Sequence, residues 1–186
     1  MKNILKKIEY NSPVILTFSL LSTIIFFINK IIPSIIPAFF TYRGNLNFIN
    51  MLLWPLAHGS MDHLIGNITL ILLIGPMLEE KYTSKILLFL MVITTLTISL
   101  FQGLFFNGGI LGASGIVFMM IVLTSFTNMK QGKIPLTFIF IALLFLTKEI
   151  YNGLFIDNNV SELAHILGAL VGIIYISIQG KINRHT

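Results

Sequence analysis

Ser114, His165, His63 and Asn67 are the residues of this chain whose types and spacing could do chemistry. A serine hydroxyl is a weak nucleophile until a base takes its proton, and an imidazole is a common base for that task. Attack on a carbonyl creates an oxyanion, which needs preorganised hydrogen-bond donors. His63, Asn67 and the backbone N–H groups around Ser114 could supply them. His63 and Asn67 are four residues apart and share a helix face. Asp62 and Glu162 are the nearest carboxylates, and both lie toward the outer end of their segments. The pattern therefore reads as a Ser–His dyad rather than a triad. Each residue alone has a plainer reading. A serine in an apolar helix commonly bonds to its own backbone, and a His/Asn pair can clamp two helices. The combination carries the chemistry.

These residues sit in a very apolar chain. Of 186 residues 55% are apolar and 10% charged, against about 25% charged in a soluble domain. Mean hydropathy is +0.91. In water such a chain exposes large apolar patches; in a bilayer the composition is expected. The sequence reads as an all-α integral membrane protein. A spanning helix needs roughly 17–25 mostly apolar residues. Six segments qualify as candidates: about Pro13–Ile31, His63–Leu78, Ser84–Leu104, a short fourth at Ala113–Thr127, a fifth at Ile134–Thr147 reaching toward Tyr151, and Glu162–Gln179. The expected organisation is a cytoplasmic segment 1–12, one membrane domain 13–180 and a cytoplasmic tail 181–186. The connection from Pro33 to Asp62 holds Phe39, Phe40, Phe48 and Trp54. It is too apolar for a solvated loop and reads as partly sunk in the membrane interface.

At about 1.5 Å rise per residue, Ser114 and His165 each lie roughly 21 Å above the cytoplasmic ends of their segments. Asn67 and His63 lie roughly 18 and 24 Å above theirs. All four share one level in a core about 30 Å thick, near the outer leaflet and within reach of water. The fourth segment is too short to cross, so its start must be buried in protein or face a water-filled cavity. Gly108, Gly109, Gly112 and Gly115 surround it. In the sixth segment His165, Gly168 and Gly172 form one stripe. Gly168 and Gly172 make a small-xxx-small contact that admits a close neighbour. If that neighbour is the fourth segment, His165 is delivered to Ser114.

Several classes are disfavoured. There is no cysteine, which removes disulfides, thiolate metal sites and a cysteine nucleophile. The net charge of +5 is scattered between apolar runs, as membrane topology requires, and does not indicate nucleic-acid binding. No HExxH zinc motif occurs, and Asp62 and Asp157 are the only aspartates; no metal and no cofactor is expected. A transporter would favour charges within helices or inverted repeats, and neither is seen. The segment after Lys2, Lys6 and Lys7 is not read as a signal peptide, because it is long and no small-residue cleavage site follows.

The motifs resemble the rhomboid family of intramembrane serine proteases. The stretch His58-Gly-Ser-Met-Asp-His63-Leu-Ile-Gly-Asn67 is similar to that family's HxxxxHxxxN pattern, Gly112-Ala-Ser-Gly115 to its GxSG, and Ala164-His165 through Gly172 to its AHxxGxxxG helix. Gly75 through Glu79 resembles a GxxxE that ends its second helix. The resemblance implies a six-helix bundle with a short central fourth helix. It implies Ser114 as nucleophile, His165 as general base, and His63, Asn67 and the Ser114 amide as the oxyanion hole. It makes His58 a structural loop residue near the site and Glu79 a structural hydrogen-bonding residue. Gly112, Gly115, Gly168 and Gly172 shape the site. Two positions depart from the pattern. A Trp-Arg pair common in the first loop is Ile49 and Asn50 here, and a tyrosine often found against the catalytic histidine is Phe118. Phenylalanine can still stack on the ring. The implied activity is cleavage of other membrane proteins within or beside their transmembrane segments. A non-proteolytic relative that binds transmembrane helices is the alternative. Small size and the lack of a targeting extension favour a bacterial cell membrane. Substrate identity and oligomeric state are not legible.

Orientation follows the positive-inside bias. With the N-terminus in the cytoplasm, Lys2, Lys6, Lys7, Lys81, Lys85, Lys130, Lys133, Lys181 and Arg184 lie inside, and Lys30, Arg43 and Lys148 outside. Both termini are expected in the cytoplasm. Reporter fusions after Lys133 and Thr186 should therefore behave as cytoplasmic. An external signal from either would reverse the orientation.

Overall fold

The computed structural model describes residues 9–44, 47–106, 108–126 and 162–182, and seven helical positions between Leu136 and Thr147. The expected fifth segment, Ile134 to Thr147 or Tyr151, lies mostly outside these residues, as do most of the segment 1–12 and the end of the tail 181–186.

The fold is all-α. In chain order the helices are α1 (Pro13–Ile31), α2 (Ile35–Phe39), α3 (Phe48–Leu53), α4 (Met61–Tyr82), α5 (Ser84–Phe105), α6 (Ser114–Ser125) and α7 (Glu162–Ile182). A 3-10 turn, Trp54–Leu56, follows α3. Helices α1, α4, α5 and α7 are long and apolar enough to cross a membrane. α1 has the bounds read from the sequence; α4 runs four residues past the expected Leu78, because polar Glu79, Glu80 and Lys81 end the apolar run before they end the helix. The connection between α1 and α4 is not a plain loop. It holds α2, α3 and the turn, and it buries Ile36, Tyr42 and Trp54.

α6 is the centre of the bundle. Its twelve residues rise roughly 18 Å, too short for a core about 30 Å thick. It is apolar all round, as a fully enclosed helix is. Ile116, Met119, Met120 and Leu123 pack with Ile71 and Leu78 of α4 and Leu87, Leu90 and Met91 of α5. Outward faces stay apolar: Leu20 and Phe27 on α1, Leu73 on α4, Phe89 on α5 and Ile174 on α7 are exposed. That is the arrangement expected where the solvent is hydrocarbon.

At one end of the bundle, three helix ends meet at Glu79. Its carboxylate accepts the backbone N–H groups of Val14 and Ile15, each at 3.0 Å, and the Ser84 hydroxyl at 2.7 Å. The first two are unpaired donors of the α1 N-terminus, where the helix dipole also favours a negative charge. The third spans a one-residue connection, Thr83, held at φ +73°. A β-branched residue in that region costs about 1–3 kcal/mol, which the bond from Ser84 helps to offset. Glu79 is buried, at 4% exposure, and a buried carboxylate is tolerated only when satisfied. Glu79→Ala should lower stability by about 3 kcal/mol or more, read as a drop in thermal midpoint in detergent. A midpoint unchanged from the parent would show that α1 docks without this anchor.

Candidate active site

Ser60 starts the site. It caps α4 by accepting the His63 backbone N–H at 3.2 Å, which sets His63 one turn into the helix and Asn67 a turn deeper. Asn67 is buried, and its Nδ2 donor finds no acceptor among the described residues. A buried amide donor normally has a partner.

The segment before α6 is strapped to the long connection. Tyr42 and Ile110 exchange two backbone hydrogen bonds, of 3.1 and 2.9 Å. The Gly112 N–H donates to the Trp54 carbonyl at 3.1 Å. Gly112 has φ +111°, a conformation L side chains rarely adopt. It also has no room: a Cβ there would lie 2.6 Å from His63 Nε2. The His63 ring is thus pressed against the backbone two residues before Ser114. Ser114 opens α6 and is half-buried. As the first turn of a helix, its N–H and those just after it have no partner within the helix.

α7 crosses α6 at glycines. A Cβ on Gly168 would collide with the Gly115 carbonyl oxygen, and one on Gly115 would lie 3.0 Å from the Ala164 carbonyl. One on Gly172 would meet the Met119 carbonyl and Val122. The turn holding Ala164 and His165 therefore lies directly beside Ser114 and Gly115. Phe118, one turn into α6, lies flat on the His165 ring, with centroids 4.3 Å apart and 1° between planes. His165 is 7% exposed.

His58 stands behind His63, edge to face at 4.9 Å. It is 1% exposed, and its pKa is pushed down to about 4. Burial is the main cause, the neighbouring His63 adds to it, and the Leu56 backbone opposes both weakly. His58 is therefore neutral at physiological pH and presents an uncharged edge to His63. Glu79 is at the far end of α4 and does not reach this cluster.

The structure brings together His58, His63, Gly112, Ser114, Gly115, Phe118, His165 and Gly168, and it adds residues the motifs did not suggest. Trp54 is fully buried, and its Nε1 donates to Ser99 Oγ at 2.9 Å. The Ser99 hydroxyl donates in turn to the Met51 carbonyl at 2.9 Å. Trp54 so ties the Gly112 strap to α5. The only available signal was that it is the one tryptophan in the chain. Asn50 donates to the carbonyls of Ala38 and Thr41 at 3.3 and 3.2 Å, closing the same connection from inside.

A family model described as the Rhomboid domain matches residues 45–182. No curated protein matches the chain.

The glycine crossing makes a sharp forecast. Gly168→Ala must push the α6 and α7 backbones apart, and overpacking of this kind costs about 1–3 kcal/mol. Gly66, also helical, has open space around its missing side chain. Gly66→Ala should be neutral or stabilising by about 0.5–1 kcal/mol. Thermal unfolding of both variants in the same detergent distinguishes a site-specific clash from general sensitivity; equal effects would mean α6 and α7 do not meet at Gly168.

Proposed function

This chain belongs to the rhomboid family, and we propose that it is an intramembrane serine endopeptidase that cuts membrane proteins within or beside their transmembrane segments. As a family member with four apolar spanning helices, it is a multi-pass integral membrane protein. The observation that carries the proposal is the crossing of α6 and α7 at Gly115 and Gly168, which sets the His165 turn beside Ser114.

In this reading the Ser114 hydroxyl attacks the carbonyl carbon of the scissile peptide, and His165 takes its proton. The negative charge that develops on the carbonyl oxygen is met by the Ser114 N–H at the α6 N-terminus, by Asn67 Nδ2 and by the His63 imidazole. The C–N bond then breaks, and His165 returns the proton to the leaving amine. Water, deprotonated by His165, releases the acyl group from Ser114. Stacking on Phe118 fixes the plane of the base. The membrane domain spans about residues 13–180, with both termini in the cytoplasm of a bacterial cell. Substrates are membrane proteins with a transmembrane segment.

A fluorophosphonate, a serine-directed electrophile, tests the reading. Wild type should be labelled, Ser114→Ala not at all, and His165→Ala at least ~10³-fold more slowly. Cleavage of a single-span substrate should follow the same order and fall as pH drops far enough to protonate the imidazole. Asn67→Ala should cost about tenfold, less than loss of a lone oxyanion donor, and His63→Ala more. Absent labelling in folded wild type would leave a helix-binding, non-proteolytic family member. Chelator-sensitive cleavage that survives in Ser114→Ala would indicate a contaminating metalloprotease.

A further inference from the structure

On the side of α6 away from Ser114, a cleft of about 440 Å³ opens between α1 and α5. Its walls are Val14, Thr17, Phe18 and Leu21 on α1 and Leu88 and Val92 on α5. Leu21, Leu88 and Val92 at the mouth are exposed, while Met91, Thr95, Pro55 and Ile116 at the floor are buried. Length decides what fits. The α5 wall of the cleft, Leu88 to Thr95, rises roughly 10 Å, about a third of a core near 30 Å thick. There Leu52, Pro55 and Leu56 close it. A transmembrane helix needs the full thickness and a width of about 10–12 Å, so the lid excludes it. An acyl chain of one leaflet fits: from Lys85, three residues before the first lining residue of α5, to Thr95 the helix rises roughly 15 Å, half of that core.

The mouth also has a polar end. Lys85, Leu88, Val92 and Thr95 follow one another at helical spacing along a single stripe of α5, and Lys85 is exposed. Across from it, Thr17 on α1 is hydrogen-bonded to the Tyr10 hydroxyl at 2.8 Å. Tyrosine and lysine at this level suit the headgroup region. Glu79 is fully engaged with Val14, Ile15 and Ser84. Glu9 and Glu80 are exposed at the same end of the bundle.

We propose that this cleft is a binding site for a phospholipid of the leaflet at the Ser84 end, with one acyl chain between α1 and α5 and its phosphate at Lys85. The chain tip rests on Ile116, two residues past Ser114, and so supports α6 from behind. The site stands apart from the proposed peptidase chemistry.

The chain carries its own reporter. Trp54 is its single tryptophan, precedes Pro55 in the lid, and bonds to Ser99 one turn beyond Thr95. It is 2% exposed and so shielded from bulk lipid. Phosphatidylglycerol brominated midway along its acyl chains, titrated into the full-length protein in detergent micelles, should quench Trp54 saturably. Val92→Phe, which fills the mouth from an exposed position, should cut the maximal quenching several-fold without shifting the emission maximum or thermal midpoint. Lys85→Gln, a surface change that leaves the cleft intact, should raise the half-saturating lipid fraction about fivefold. Quenching that grows in proportion to bulk brominated lipid, or that is equal in wild type and both variants, would overturn the site.

Discussion

The backbone of α6 touches the backbone of α7 at Gly115 and Gly168, and the remaining geometry follows from that contact. In lipid there is no hydrophobic gain from pressing two apolar helices together, so association depends on close van der Waals approach. Missing side chains permit it. Because the approach is backbone to backbone, it fixes register as well as distance. Ser114 precedes one member of the pair and His165 lies one turn before the other, so a slide of either helix would separate them. Gly172 against Met119 repeats the contact two turns from His165 and resists rotation about a single point.

A short helix enclosed by the bundle creates a second demand. The segment leading into α6 brings backbone polar groups into the fold, where each needs a hydrogen-bond partner. The bonds between Tyr42 and Ile110 and from Gly112 to Trp54 answer some of it. They also explain why the connection from α1 to α4 is so apolar: it is the outer wall of the site. Asn50 and Trp54 hold that wall to itself and to α5. The far end of the bundle meets the same demand differently. Glu79 gathers two free N–H groups of α1 and the Ser84 hydroxyl onto one carboxylate.

Around the imidazoles, position and charge are set by neighbours of opposite character. Phe118 offers His165 a flat apolar face, whereas Gly112 offers His63 nothing but backbone. His58, kept neutral by burial, closes the cluster without adding a charge beside His63. Phe118 has no hydroxyl, and the stacked geometry of the ring pair does not depend on one.

The sequence by itself determined the class of fold. Apolar run length is a property of composition, and it located α1 and α5 to within a residue and α6 as too short to span. It also picked out His63, Asn67, Ser114 and His165, because polar side chains stand out in apolar segments. What it left open was everything that depends on which helix is next to which. Gly168 and Gly172 announced a close neighbour, but only the tertiary structure made that neighbour α6. The short helices α2 and α3, of five and six residues, were hidden because fewer than two turns of apolar residues show no periodicity of their own. Trp54 and Ser99 are 45 residues apart, and no local pattern pairs them. A hydrogen bond between distant residues exists only once packing has brought donor and acceptor together, so it belongs to the fold and not to the string of residues.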